Sequence, residues 1–263
     1  MARLQVLIPA YNAAEYLAET LESVLTQGVT SLEVVVVDNA STDGTADVVR
    51  SFADRGVRYV RNDVNVGSSR NHNLALDMAT GDYVKLLSAD DVLLPGTLAK
   101  QIAALDAHPS AGVATCNCRV TDQHLNPLRE TTYLPGFQKG AQAIAACAWK
   151  AANLVGAPSN TMLRRSAIQD ARLDPALKWV GDLDFFCQIL TRSDFVNIDV
   201  VGFLYRRHDA TDSTLSCPPT IRWHDELLFS RRYGGGPLSR LRIAYRVARD
   251  WVKFHPALRR GQR

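Results

Sequence analysis

No apolar run in the 263 residues approaches the ~18 needed to cross a bilayer. The opening stretch MARLQVLIPAYN also lacks the long apolar core of a signal peptide, so the chain is expected to be cytoplasmic. The five cysteines, Cys116, Cys118, Cys147, Cys187 and Cys217, are odd in number and include no C-x-x-C pair, which leaves buried free thiols as the expectation. Internal repeats and low-complexity segments are absent too. With 46% hydrophobic and 22% charged residues, disorder as the main state is excluded.

Positive charge is scarce where a nucleic-acid binder would carry it. The total of +3 divides into −6 for residues 1–230 and +9 for the last 33 residues. That tail holds Arg231, Arg232, Arg240, Arg242, Arg246, Arg249, Lys253, Arg259, Arg260 and Arg263 against one acid, Asp250. A mildly acidic body argues against nucleic acid as a partner. The length suits one large domain or two intimate halves.

What the first hundred residues do contain is a regular alternation. Leu4 to Ile8 and Glu33 to Val37 are apolar runs of the kind that form parallel strands covered on both faces. Between them Leu17, Leu21, Val24 and Leu25 recur at helical spacing, and Asn12 with Glu15 resembles a capping box. A helix from about Thr45 to Ala53, a strand Val57 to Val60, a helix Ser69 to Ala79 and a strand Tyr83 to Leu87 follow. This βαβαβαβ series predicts an α/β fold with a doubly wound, mostly parallel sheet.

Beyond Pro109 the pattern predicts strands over Gly112–Val120, Asn160–Leu163 and Phe195–Tyr205, and helices over Ala141–Lys150 and Asp182–Thr191. Gly234-Gly235-Gly236-Pro237 then breaks the chain. The expected organisation is residues 1–110 as the ligand-binding half, 111–233 as the second half of the same domain, and 237–263 as a basic tail.

In such sheets ligands gather beyond the carboxyl ends of the strands. Four polar clusters fall there: Pro9-Ala10-Tyr11-Asn12, Asp38 to Gly44, Asn62 to Arg70, and Ser88-Ala89-Asp90-Asp91. Asp90 and Asp91 repel each other unless a positive group lies beside them, and a hard divalent cation, Mg²⁺ or Mn²⁺, is the natural partner. Capping the helix that follows Pro95 is the other reading. Asp38 can accept hydrogen bonds from a base or ribose, or be a solvated turn residue. Arg70, in the first turn of a helix after Gly67, favours a phosphate, or pairs with a surface acid. Together these residues point to nucleotide, metal and diphosphate.

At these positions the chain resembles the family 2 glycosyltransferases of GT-A fold. The runs that carry the likeness are Val6-Leu7-Ile8-Pro9-Ala10-Tyr11-Asn12, Val36 to Thr45, Asn65 to Asn71, and Gly81 to Asp91, in the family's order. The resemblance is dense over residues 4–105 and thinner to about 215. It implies that Pro9, Tyr11 and Asp38 surround the nucleoside, that Arg70 serves the base or diphosphate, and that Asp91 binds the metal with Asp90 nearby. Ser88 stands where many members have an acid, so the D-x-D function falls on the Asp90-Asp91 pair. The segment Trp179 to Phe186 resembles the one whose acid faces the acceptor, which makes Asp182, in preference to Asp184, the expected general base, with helix capping as its other role. His208, after Tyr205-Arg206-Arg207, matches an additional metal ligand of several relatives, or serves structure or acceptor contact.

The resemblance implies an inverting, metal-dependent sugar transferase taking a nucleoside-diphosphate sugar, UDP by preference, to a saccharide or lipid-linked saccharide acceptor. Pro219 replaces the Gln of the Q-x-x-R-W motif of processive members, which argues against polymerisation. A nucleotidylyltransferase is the alternative, disfavoured by Pro-Ala-Tyr-Asn in place of a Gly-rich basic phosphate loop; a non-catalytic nucleotide-sugar-binding module is the third reading. In the tail, Leu238, Leu241, Tyr245, Ala248 and Val252 form an apolar stripe, and Arg242, Arg246, Arg249 and Lys253 flank it. That arrangement suits either an anionic membrane surface or packing on the domain.

Overall fold

The computed structural model describes residues 3–150, 152–208, 217–234, 236–238, 240, 241 and 243–245. Ten strands form one mixed sheet: β1 (Leu4–Ala10), β2 (Leu32–Asp38), β3 (Val57–Arg61), β4 (Tyr83–Leu86), β5 (Val92–Leu93), β6 (Ala111–Thr121), β7 (Pro127–Thr131), β8 (Phe137–Gln138), β9 (Met162–Arg164) and β10 (Asp194–Arg206). The order across the sheet is β3-β2-β1-β4-β9-β6-β10-β5, with β7 on β6 and β8 on β10. Strands β3, β2, β1 and β4 are mutually parallel, as are β6 and β10. Strand β9 runs antiparallel between β4 and β6, joining the two parallel groups into a single sheet.

The helices are α1 (Leu17–Leu25), α2 (Thr45–Arg50), α3 (Ser68–Asp77), α4 (Thr97–Ala107), α5 (Gly140–Lys150), α6 (Arg165–Ile168), α7 (Gly181–Leu190) and α8 (Pro219–Arg232). They cover both faces of the sheet. Alternation along the strands divides the apolar residues: Leu7, Val35 and Val37 enter one core with the phenylalanines of α7, while Val6, Ile8, Val34 and Val36 enter the other with Leu17 and Leu21 of α1. All four valines of β2 are almost wholly buried, which explains why that strand reads as a continuous apolar run. All five cysteines are free and buried, as expected.

Register positions the functional edge. Ala10 lies beside Asp38, and Asp38 beside Arg61, so the carboxyl ends of β1, β2 and β3 finish level. Strand β4 stops at the Leu7–Leu86 pairing, and Leu87 continues the ladder by donating to the Leu7 carbonyl at 3.0 Å. The acid pair follows immediately.

Several expectations are corrected. The Asn12–Glu15 capping box does not form: α1 begins at Leu17, and its cap residue, Tyr16, makes no side-chain cap bond. Asn12 instead adopts φ +48° and accepts from the Thr42 backbone N–H at 2.9 Å. The helix from Thr45 stops at Arg50, and Ala53–Arg55 forms a separate 3-10 turn. Pro158–Asn160 is likewise a 3-10 turn, so the strand read from Asn160 starts at Met162.

Candidate active site

The loops after β1 and β2 are tied together before any ligand arrives. The Asn12 N–H donates to Ser41 Oγ at 2.9 Å, the Ala13 N–H to Thr45 Oγ1 at 2.8 Å, and the Ala14 N–H to Asp43 Oδ2 at 3.1 Å. Ala40, between them, is held at φ +61°, a strained conformation for a residue with a Cβ. Pro9 is buried at the end of β1, whereas Tyr11 is about half exposed at the rim.

Asp38 is fully buried and already saturated. Oδ1 accepts from the Ser41 N–H at 2.9 Å and from the Ser41 hydroxyl; Oδ2 accepts from the Tyr59 hydroxyl and from Arg61 at 2.7 Å. Burial alone would push its carboxyl up, but these bonds outweigh it and hold the group below the ordinary range. A base can reach Asp38 only by displacing a partner, and Arg61, with about half its side chain exposed, is the accessible one. Arg61 and Tyr59 are therefore additions that the sequence reading missed.

Beside them, Gly67 precedes α3 at φ +86°, a conformation natural to glycine, and its N–H donates to Asn65 Oδ1 at 2.9 Å. Arg70 is exposed in the first turn of α3 and enters no ion pair among the described residues. Its cation and the helix amino end share one location, an arrangement that suits an anion.

Asp91 is buried and Asp90 half-buried. Burial and the neighbouring Asp90 carboxylate raise Asp91 well above the usual range. Burial also raises Asp90, opposed by the hydrogen bond from His208, whose Nε2 lies 3.1 Å from Asp90 Oδ2. Arg206, which the sequence reading passed over, organises this corner. Its backbone N–H donates to Asp91 Oδ1 at 3.1 Å, its Nε to the Asp90 carbonyl at 2.8 Å, and its guanidinium pairs with Glu19. The same guanidinium lies over the Tyr16 ring at 4.5 Å, and that ring contacts His208 with centroids 4.7 Å apart.

Two carboxylates and an imidazole, with the acids desolvated against each other, fit the donor chemistry of a hard divalent cation. Among the described residues no three His, Cys, Asp or Glu groups already converge on one point. The remaining ligands of such an ion would be phosphate oxygens and water.

Asp182 opens α7 and is half-buried. Its Oδ1 accepts from the Leu183 N–H at 2.7 Å and its Oδ2 from Asn153 Nδ2 at 3.2 Å. Burial nevertheless pushes the carboxyl up to about 6. Asp184, by contrast, is wholly buried and spent on structure, accepting from Arg232 at 2.7 Å and from Gln188 at 2.8 Å. The Trp179 ring nearby is covered by Arg222 at 4.4 Å.

The polar loop Asp209–Ser216 and the tail positions Arg242, Arg246, Ala248, Arg249, Val252 and Lys253 lie outside the described residues. Within them, residues 237, 238, 240, 241 and 243–245 are helical; Leu238, Leu241 and Tyr245 are exposed and Ile243 is buried. No described helix is long and apolar enough to cross a membrane.

A parallel half, a rim of polar loops and an acid pair at the end of β4 define a GT-A architecture, and sequence comparison agrees. The model of glycosyl transferase family 2 matches residues 5–172, and the chain belongs to that family. It is similar to the uncharacterised protein MT1568 of Mycobacterium tuberculosis, at 30% identity, covering 83% of this chain and 71% of that one. Of several further curated relatives it spans less than half the length. Its fold matches that of S. aureus TarS 1-349 in complex with UDP-GlcNAc, with a TM-score of 0.71 at 20% identity, covering 86% of this chain and 65% of that one. It also matches a mannosyltransferase from Pyrobaculum calidifontis in complex with GDP-Man and Mn²⁺, with a TM-score of 0.63 at 21% identity, covering 94% and 69%.

Proposed function

We propose that the protein is a metal-dependent, inverting glycosyltransferase that moves a sugar from a nucleoside-diphosphate sugar, UDP by preference, to a hydroxyl of a saccharide or lipid-linked saccharide acceptor. The observation that carries this reading is the Asp90-Asp91 pair at the sheet edge, organised by Arg206 and faced by His208. The solved neighbours bound to UDP-GlcNAc and to GDP-Man with Mn²⁺ support a nucleotide-sugar donor and a cation.

Asp91 would hold the cation, with Asp90 and His208 beside it, and the ion supplies positive charge to the departing diphosphate. Arg70 and the amino end of α3 bind and orient the same diphosphate, stabilising charge that grows as the glycosidic bond breaks. Pro9, Tyr11 and the saturated Asp38 with Arg61 shape the nucleoside side. Asp182 takes the proton from the acceptor hydroxyl as that oxygen attacks the anomeric carbon. A carboxyl poised at about 6 is mostly ionised at neutral pH yet more basic than an ordinary aspartate, which is what this step needs. One displacement inverts the anomeric centre.

The exposed apolar positions Leu238, Leu241 and Tyr245, in the tail that carries net +9, support a resting place on an anionic membrane where lipid-linked acceptors are found. The test is to incubate the protein with UDP-, GDP- and dTDP-sugars, Mn²⁺ and an acceptor panel, following the released nucleotide. Release of nucleoside diphosphate with transfer supports the reading. Pyrophosphate chemistry points to a nucleotidylyltransferase, and donor binding without turnover to a binding module.

A further inference from the structure

Lys85 is a lysine in the middle of an apolar strand, and its ammonium is wholly buried. It donates to the Ser159 carbonyl at 2.7 Å, the Thr161 carbonyl at 3.1 Å and Gln101 Oε1 at 3.3 Å, so all three N–H bonds are used and none goes to a carboxylate. Two of the three acceptors are main-chain oxygens of one turn. A cation buried at this cost is retained where its bonds fix something that a hydrocarbon cannot.

What it fixes is the segment 153–161, which touches both halves of the candidate site. At one end Asn153 accepts from the Val155 and Gly156 N–H groups at 3.1 and 2.9 Å and donates to Asp182 at 3.2 Å. At the other, the buried Ser159 hydroxyl accepts from the Ser88 N–H at 3.1 Å and donates to Ser88 Oγ at 3.1 Å, and the Ser88 carbonyl in turn accepts from the Asp91 N–H at 3.4 Å. Between them Asn160 locks the turn, accepting from the Ala157 N–H at 2.9 Å and donating to the Cys116 carbonyl at 2.7 Å. Gly156 stands at φ +123° with Thr115 so close that a Cβ would lie 2.8 Å from its hydroxyl, so the path admits little adjustment.

We infer that Lys85 is a positioning residue for sugar transfer: it anchors the 153–161 segment as a strut that fixes Asp182 relative to the Asp90-Asp91 pair. The role of the strut in transfer rests on the glycosyltransferase reading; its anchoring by Lys85 does not. Replacing the ammonium with a thioether of similar length leaves two buried carbonyls without a donor and frees the turn to move.

The experiment uses the full chain carrying Lys85→Met, read by amide hydrogen exchange and by steady-state kinetics with donor and acceptor. Exchange within 153–161 is expected to accelerate roughly tenfold relative to β1 and β2. The kcat for transfer should fall about 100-fold, the scale of an ångström-sized misplacement, while donor KM stays within about threefold. Val49→Ala, a core truncation in α2, serves as the control that lowers stability without splitting kcat from KM. Ser159→Ala, which keeps the Lys85 bonds and removes the link to Ser88 at the start of the acid-pair turn, should reproduce the kcat loss without the exchange change, and it supplies the test if Lys85→Met does not fold. Unchanged kcat in either variant, or exchange that accelerates uniformly across the chain in Lys85→Met, overturns the inference. Absence of transfer by the wild type with every donor overturns the functional reading instead, and local against uniform exchange then decides the anchor.

Discussion

Replacing Asp182 with asparagine should make the protein more stable and far less active at once. Burial lifts this carboxyl from 3.8 to about 6, so the folded state resists its ionisation. At about 1.4 kcal/mol per pH unit the displacement amounts to about 3 kcal/mol, trimmed to about 2 kcal/mol by screening through its partly open face. Asparagine retains an oxygen for the Leu183 N–H and carries no charge to desolvate. The sign follows from linkage: below pH 3.8 both forms are neutral and equally stable, and the advantage of Asp182→Asn opens as pH rises, becoming complete above about 6. For a chain of this size 2 kcal/mol is worth about 4–8 °C, readable in melts at pH 4 and pH 7.5. Transfer by the variant should drop about 10²- to 10⁴-fold, and wild-type kcat/KM should rise with pH through a limb near 6. Melting temperatures that coincide at pH 7.5, or undiminished transfer, refute the reasoning.

Asp91→Asn removes one of two mutually repelling buried carboxylates; its melting temperature at pH 7 should not fall, whereas Mn²⁺-dependent release of nucleoside diphosphate should vanish in a metal titration. Arg70→Ala should raise donor KM about 10- to 100-fold, the worth of a charge-assisted phosphate contact, without altering the melt. Asp38→Asn should cost at least ~2 kcal/mol at pH 7, because it weakens bonds from Ser41, Tyr59 and Arg61; since those bonds depress the Asp38 pKa, chemical denaturation should show the deficit shrinking as pH falls below 3.8. Leu238→Glu with Leu241→Glu in the full chain should reduce sedimentation with anionic liposomes and leave that with neutral liposomes unchanged; equal binding to anionic liposomes removes the membrane proposal.

The parallel half was legible in the sequence because β1, β2 and β4 are buried on both faces and its helices keep one apolar stripe, so each declares its period. The carboxyl-end clusters, and with them Asp38, Arg70, Asp90, Asp91 and Asp182, could be named from strand position and family likeness. Less legible were β5, β7 and β8, at two to five residues too short to show a period. The antiparallel insertion of β9 is decided by contacts with β4 and β6 that no local pattern encodes. The supporting shell was missed for the same reason: Arg206 reaches Asp90, and Asn153 reaches Asp182, across long stretches of chain. Lys85 did carry a signal, a charge inside an apolar run, that points to a bonded interior role.

The placement of β9 has a consequence for the edge that it covers. Strands β1 to β4 are complete by Leu86, but the strand that covers the outer edge of β4 begins only at Met162. Without β9 the outer edge of β4 would stand open, the kind of template onto which other strands add. Lys85 sits in the centre of that edge, and lysine is the residue with which exposed edges are commonly guarded. The side chain that ties down the turn before β9 is thus of the type that disfavours mispairing at a strand edge.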